Sequence, residues 1–269
     1  MNAIIPKVFG NRDHTTSYYA ASANRRRLRD PLVGDHQFDI CVVGGGYSGL
    51  STALHLAERG HSVALVEGAR IGWGASGRNG GQIVNGLNAS LQTIKRRYGQ
   101  DTASFVASLV MEGGDIIRDR VAKYDIKCDL KHTNVFTGYT AAHMRELEER
   151  LALWRGYGIE TQEILSKSEI RDYVGTDVYS GGMIDHAGGH MHPLNLALGE
   201  ADAFEQNGGT IFEMSMVQNV DYNRANPVVT TEQGSITCKT VVLCGNAYLG
   251  HVVPALTARV MPVSTQIIA

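Results

Sequence analysis

Three glycines with set spacing, followed by an acid, define the chemistry this chain can do. Gly44, Gly46 and Gly49 form G-x-G-x-x-G in the run Gly44-Gly45-Gly46-Tyr47-Ser48-Gly49, and Glu67 stands about 20 residues further on. Gly44 makes a tight turn, Gly46 leaves room for a pyrophosphate against the backbone, and Gly49 lets a helix press on a strand. Free N–H groups and a positive dipole end then meet the phosphates. A carboxylate at Glu67 accepts from ribose hydroxyls and repels a 2′-phosphate, which counts against NADP. The predicted chemistry is the binding of an adenine dinucleotide.

The flanking residues supply the elements this loop needs. Asp39–Val43 is a short β-branched apolar run, as expected of a buried parallel strand. Leu50, Ala53, Leu54 and Ala57 recur at helical spacing, Gly60 ends the helix, and Val63–Val66 is a second strand leading into Glu67. A second glycine-rich run follows over Arg70–Gln82. It carries Trp73, Arg78, Asn79 and Gln82, too varied for a plain spacer, so it is expected to press its backbone on a ligand. Val241–Ala247 repeats the strand-then-glycine form and is expected to reach the same crevice.

Elsewhere the pattern predicts helices over 89–98, 102–124 (apolar stripe Phe105, Leu109, Ile116, Ile117 and Val121), 141–157 and 193–206, with a capping box at Ser166 and Glu169. Strands are expected over 130–138, 161–165, 179–185, 210–215, 217–222, 227–231, 235–238 and 240–244. Residues 1–35 read as an extension in which Tyr18–Ala21 docks on the body, while Arg25–Arg29 forms a solvated basic turn.

Composition excludes several classes. The 269 residues are 43% hydrophobic and 19% charged, with a net charge of −2, so the chain is globular and has no broad attraction to nucleic acid or anionic membrane. No apolar run reaches membrane-spanning length, and Met1–Gly10 lacks the form of a signal peptide. Cys41, Cys128, Cys238 and Cys244 form no C-x-x-C and are expected as reduced thiols in a cytoplasmic protein. In Asp185–His192, His190 and His192 share a strand face, yet two glycines break any rigid spacing and no distant ligand set follows. No metal is expected; the two histidines are substrate-side candidates.

These motifs resemble the D-amino-acid-oxidase superfamily of FAD-dependent amine oxidoreductases. The similarity is carried by Ser17–Ser22, the strand–helix–strand unit, the loop Arg70–Gln82, Met111–Gly114, Asp185–Ala203 and Gly245–Gly250. The resemblance implies an α/β fold: a Rossmann-like FAD-binding domain with an inserted, incomplete α+β substrate domain. Expected boundaries are 1–36 (extension), 37–88 and 186–258 (FAD-binding domain), 89–185 (insert) and 259–269 (start of a further sheet). It also implies roles. Gly44, Gly46, Tyr47, Ser48 and Gly49 lie at the pyrophosphate; Glu67 and Gly68 lie at the ribose. Arg70, Ala75, Ser76 and Gly77 line the pyrophosphate and ribityl chain. Asn79, Gly80, Gly81 and Gln82 pass beside the isoalloxazine ring, Val217 meets the adenine edge, and Gly245 and Asn246 approach the phosphates. Some members bond the flavin covalently through a histidine in the ring-side loop; Arg78-Asn79 stands there, so FAD is expected to be non-covalent.

The implied activity is oxidation of the carbon–nitrogen bond of a small amine, with γ-glutamylputrescine the expected substrate and oxygen the acceptor, giving aldehyde, ammonia and hydrogen peroxide. No catalytic base is assigned. The alternatives are a glycine, sarcosine or D-amino-acid oxidase, an inactive FAD-binding fragment, and a nicotinamide-dependent enzyme. Met261–Ala269 reads as a strand with no cap or turn after it, so the chain is expected to be an N-terminal portion, with weakened FAD binding, little turnover alone and self-association through unpaired strand edges.

Overall fold

A computed structural model describes residues 10–263. In chain order its elements are α1 (Tyr18–Ser22), β1 (Gly34–Val43), α2 (Tyr47–Glu58), β2 (Val63–Val66), β3 (Gln82–Ile83), α3 (Leu91–Tyr98), α4 (Gln100–Lys123), β4 (Lys131–Gly138) and α5 (Ala141–Arg155). They continue as β5 (Gln162–Leu165), α6 (Arg171–Val174), β6 (Gly181–His190), α7 (Pro193–Gln206), β7 (Thr210–Phe212), β8 (Asn219–Asp221), β9 (Val228–Thr230), β10 (Gly234–Leu243) and α8 (Pro254–Thr257). The described residues fall into two compact units. The first is drawn from Met1–Gly80, Ile126–Cys128 and His192–Ala269; the second from Gly81–Asp125 and Asp129–Met191. The divisions come earlier than 88 and later than 185 because β3 pairs with β6 and so belongs to the second unit.

The first unit is the mixed α/β layer structure. Its sheet runs β7-β2-β1-β10-β9-β8, with β7, β2, β1 and β10 parallel and β9 and β8 antiparallel. β1 begins at Gly34 rather than Asp39 because Gly34–Phe38 pairs with Gly234–Cys238. β10 is one strand, not the two expected over 235–244, because its register with β1 continues from Phe38 opposite Cys238 to Ile40 opposite Thr240. One face packs Cys41, Val43, Ala64, Val66, Val229 and Ile236 into a core. Leu50, Ala53 and Leu54 of α2 are buried, and α7 buries Leu194, Leu196 and Phe204. Each large apolar side chain hidden this way contributes about 1.5–3 kcal/mol. All four cysteines are free.

The basic turn at Arg25–Arg29 is not wholly solvated. The Arg29 side chain is 3% exposed and bonds Asp202 and Glu205 at 2.8 Å. Ser17 caps α1 by accepting from Ala20 N–H, and α1 packs on α7. These partners lie far along the chain, outside any local sequence window.

In the second unit β6 is central, antiparallel to β4 along its length and to β5 and β3 near its two ends. It runs on past Asp185 through two glycines, since a Cβ at Gly189 would strike the Lys131 carbonyl. Leu91, Ile94, Ala103, Ala107 and Trp154 form one cluster; Leu165, Ile170 and Ile184 form another. The stripe expected on α4 is offset: Phe105 and Leu109 are 64% and 50% exposed, and the small residues Ala103, Ala107 and Gly114 face inward. The capping box is made, with Ser166 N–H donating to Glu169 and Glu169 N–H to Ser166, but a turn precedes α6, which starts at Arg171. Met261–Val263 is not a strand, and 264–269 of that expectation lies outside the described residues. Among the described residues no helix is long and apolar enough to cross a membrane.

Asp185, 1% exposed, organises the second unit's polar interior. It accepts from Thr161 Oγ1 (3.0 Å), Ala187 N (3.1 Å), Gln162 Nε2 (3.2 Å) and Asn85 Nδ2 (3.4 Å). Asp185→Ala strands four donors and is expected to destabilise the chain by about 2–4 kcal/mol. Urea unfolding measures it; an unchanged midpoint would contradict the assignment.

Candidate functional site

The site lies where β1, β2 and β10 end together. Cys244 N–H donates to Val43 O (2.7 Å) and Gly44 N–H to Val66 O (2.8 Å), so the three parallel strands open into one crevice. Gly44 turns there at φ 113°, where a Cβ would sit 2.7 Å from the Cys244 carbonyl. A Cβ on Gly49 would strike the Gly44 carbonyl, so the first turn of α2 rests directly on the loop. The N–H groups of Gly46, Ser48 and Gly49 have no acceptor among the described residues. Tyr47 N–H donates to Ser76 Oγ at 3.0 Å, and the Tyr47 hydroxyl donates to Pro193 O at 2.8 Å.

Glu67 follows β2 directly. Its Oε2 accepts from Gly45 N–H at 2.5 Å and its Oε1 from Ala69 N–H at 2.8 Å. Burial pushes its pKa up, against the pull of those N–H groups. A carboxylate has about four acceptor directions, so these two bonds do not fill it. Gly68 lies against Met216, whose Cε would be 2.6 Å from an added Cβ. Ser215 N–H donates to Glu67 O, which brings the segment leading to buried Val217 alongside.

Ser76 sits in a 3₁₀ turn, Ala75–Gly77, held by Asn79 Nδ2 donating to Ser76 O (2.8 Å) and Ala75 O (3.2 Å). Gly245 follows β10 by two residues, and Asn246, at φ 51°, opens a 3₁₀ segment. Gly80 belongs to this unit too. Arg70 is placed with its guanidinium on Glu213 (3.0 Å) and Asp13 (3.2 Å).

Three expected site residues belong to the second unit. Gly81 O accepts from Met191 N–H, and Gln82 lies opposite His190 in the β3–β6 pair. His192 is in the first unit and caps α7: its Nδ1 accepts from Asn195 N–H (3.1 Å), which leaves the proton on Nε2 to donate to Ser22 Oγ (3.1 Å). It is 8% exposed and therefore built into the fold.

Glu213 was not singled out by its sequence, yet it is 2% exposed and holds the second glycine loop. It accepts from Ile71 N (2.8 Å), Arg70 Nη1 (3.0 Å) and Arg29 N (3.3 Å). The available signal was its position: an acid directly after a parallel strand, as at Glu67.

The crevice fits a dinucleotide pyrophosphate: backbone donors without acceptors, glycines where a side chain collides, and a carboxylate at the second strand's end. A family model described as FAD dependent oxidoreductase, DAO, matches residues 39–269. Gamma-glutamylputrescine oxidoreductase of Escherichia coli strain K12 is 48% identical over 257 residues, covering 95% of this chain and 60% of that protein. The fold matches glycine oxidase from Geobacillus kaustophilus (TM-score 0.67, 22% identity, 81% of this chain and 57% of that one). It also matches L-amino acid deaminase from Proteus myxofaciens (TM-score 0.71, 20% identity, 84% and 49%). The chain spans about 60% of the length of the curated relatives it matches.

Two outcomes follow for flavin binding. A Cβ at Gly46 would lie 2.9 Å from Ser76 Oγ, so Gly46→Val displaces the hydroxyl that meets Tyr47 N–H and fills the phosphate approach. The purified variant is expected to lack flavin absorption; normal flavin content contradicts the placement. Hydroxyl donors reaching Glu67 would favour its ionised form, so on that placement FAD binding should weaken as pH falls toward its raised pKa. Glu67→Gln should cost about 1–3 kcal/mol of affinity at neutral pH and flatten that dependence, read by flavin fluorescence titration.

Proposed function

This chain belongs to the DAO family of FAD-dependent oxidoreductases, and from that premise we propose that it serves oxidation of the carbon–nitrogen bond of γ-glutamylputrescine or a close amine. The observation that carries this reading is the 48% identity to the E. coli enzyme across 95% of the chain, which includes both glycine-rich loops. The cofactor is FAD, and the proposal holds it non-covalently. FAD, when bound, would supply the acceptor for the two electrons and proton that leave the carbon bearing the amine.

The chain's own residues bind and orient. The N–H groups at the start of α2 face the pyrophosphate, with Ser76 beside them. Glu67 takes the adenosine ribose and Val217 the adenine edge. Gly245 and Asn246 border the phosphates. Asn79 and Gly80 run beside the ring; Gly81, Gln82 and His190 belong to the second unit. His192, already spent on Asn195 and Ser22, supports α7 rather than substrate.

The proposed overall reaction takes amine, water and oxygen to aldehyde, ammonia and hydrogen peroxide. The proposed location is the cytoplasm, supported by four cysteines that form no disulfide. Association between chains would use the edge strands β7 and β8, each three residues long, and such short edges limit it.

The test is anaerobic flavin reduction in a protein of the relatives' full length that carries these residues. The panel is γ-glutamylputrescine, putrescine, glycine, sarcosine, D-alanine and NADH. Bleaching fastest with γ-glutamylputrescine, and faster as pH rises and the amine loses its proton, is the expected result. Preference for glycine or sarcosine would move the substrate; reduction by NADH alone would overturn the amine-oxidation reading.

A further inference from the structure

A cavity of about 320 Å³ in the first unit is lined by Arg70, whose guanidinium is turned onto Glu213 and Asp13, and by none of Gly44–Gly49, Glu67 or Ser76. Asp13, His14, Arg26, Arg27, Arg70 and Leu198 form most of its wall. Its three guanidiniums are unequally spent. Arg70 gives Nε to Asp13 and Nη1 to Glu213, while its Nη2 has no acceptor among the described residues. Arg27 is 70% exposed and reaches Glu205 only at 3.6 Å, and Glu205 is already bonded by Arg29 at 2.8 and 3.1 Å. Arg26 Nη1 donates to His14 Nδ1 at 2.7 Å, and His14 Nε2 contacts Ile71 O at 2.9 Å. With one ring nitrogen accepting and the other donating, His14 is neutral; burial also lowers its pKa.

Both acids in the wall, Asp13 and Glu213, are engaged on Arg70, and neither bonds Arg26 or Arg27. Glu213 is already filled by Ile71 N–H, Arg29 N–H and Arg70. The Asp13 side chain is 69% exposed and engages a single guanidinium edge. Leu28 and Leu198 supply apolar surface beside the guanidiniums. Forked donors next to an apolar wall match a carboxylate on a short hydrocarbon stem. We propose that this cavity is a binding site for a small aliphatic carboxylate, with Arg26, Arg27 and Arg70 as its donors. The inference stands apart from which amine the protein oxidises.

The experiment is calorimetric titration of the full chain, saturated with FAD so that the nucleotide crevice is filled, with butyrate, glutarate and inorganic phosphate. Trp73 gives a second readout, because its Nε1 donates to the carbonyls of Asn11 (3.1 Å) and Asp13 (3.0 Å) beside the cavity. Saturable one-site binding of a carboxylate, with a change in Trp73 emission and weaker phosphate binding, is expected. Arg27→Gln and Arg26→Gln should each weaken it about tenfold, a loss of about 1.4 kcal/mol. Arg27 is exposed enough for its variant to fold, so it carries the test if Arg26→Gln does not. No saturable carboxylate binding overturns the proposal. So do phosphate binding of equal strength, which would mean unselective anion attraction, and an Arg27→Gln variant that binds like the parent.

Discussion

The carboxylate of Glu67 joins two loops that the nucleotide site needs side by side. One oxygen holds Gly45, in the loop after β1; the other holds Ala69, in the loop after β2. Gly45 precedes the helix start whose N–H groups face the crevice, and Ala69 opens the segment that leads to Ser76. Ser76 then returns to Tyr47 N–H, so loop, carboxylate and hydroxyl form a closed ring of hydrogen bonds. Burial raises the pKa of Glu67, and the two backbone donors offset part of that penalty. Further donors from a ribose would offset more, which couples cofactor binding to the local fold.

Glu213 repeats this arrangement one strand over. It follows β7 as Glu67 follows β2, and it ties Ile71 and Arg70 to the N-terminal segment at Arg29. Arg29 continues the chain of charges to Asp202 and Glu205 on α7. Glu213 has three donors and the Arg29 guanidinium two carboxylates, so each buried charge has its own partners, the condition under which such groups can be buried. The second glycine loop is therefore fixed from beneath by charge, and the N-terminal segment is part of the first unit.

Elements set by local pattern were legible in the sequence. The βαβ unit was readable because strand, glycines, helix and acid occur in order, and α7 was readable from Pro193 at its start to Asn207 past its end. Elements set by distant partners were not. β1 and β10 gain length by pairing with each other, and neither run shows that alone. The glycines of β6 read as a loop until β4 is laid against them. On α4 the large apolar residues Phe105 and Leu109 drew the helical stripe, whereas the buried face uses alanine and glycine, which carry little signal. At the site the glycines, Glu67 and Ser76 were all marked. Glu213 was not, since it depends on bonds to residues far away in the chain.

The central claim is that the first unit binds FAD chiefly through its adenosine and pyrophosphate. The most direct measurement is competition: FAD bound to the chain, followed by flavin fluorescence, is challenged with ADP and separately with riboflavin. The account predicts saturable binding of one FAD per chain, displaced by ADP and unaffected by riboflavin. Displacement by riboflavin with none by ADP, or no saturable FAD binding, would contradict it.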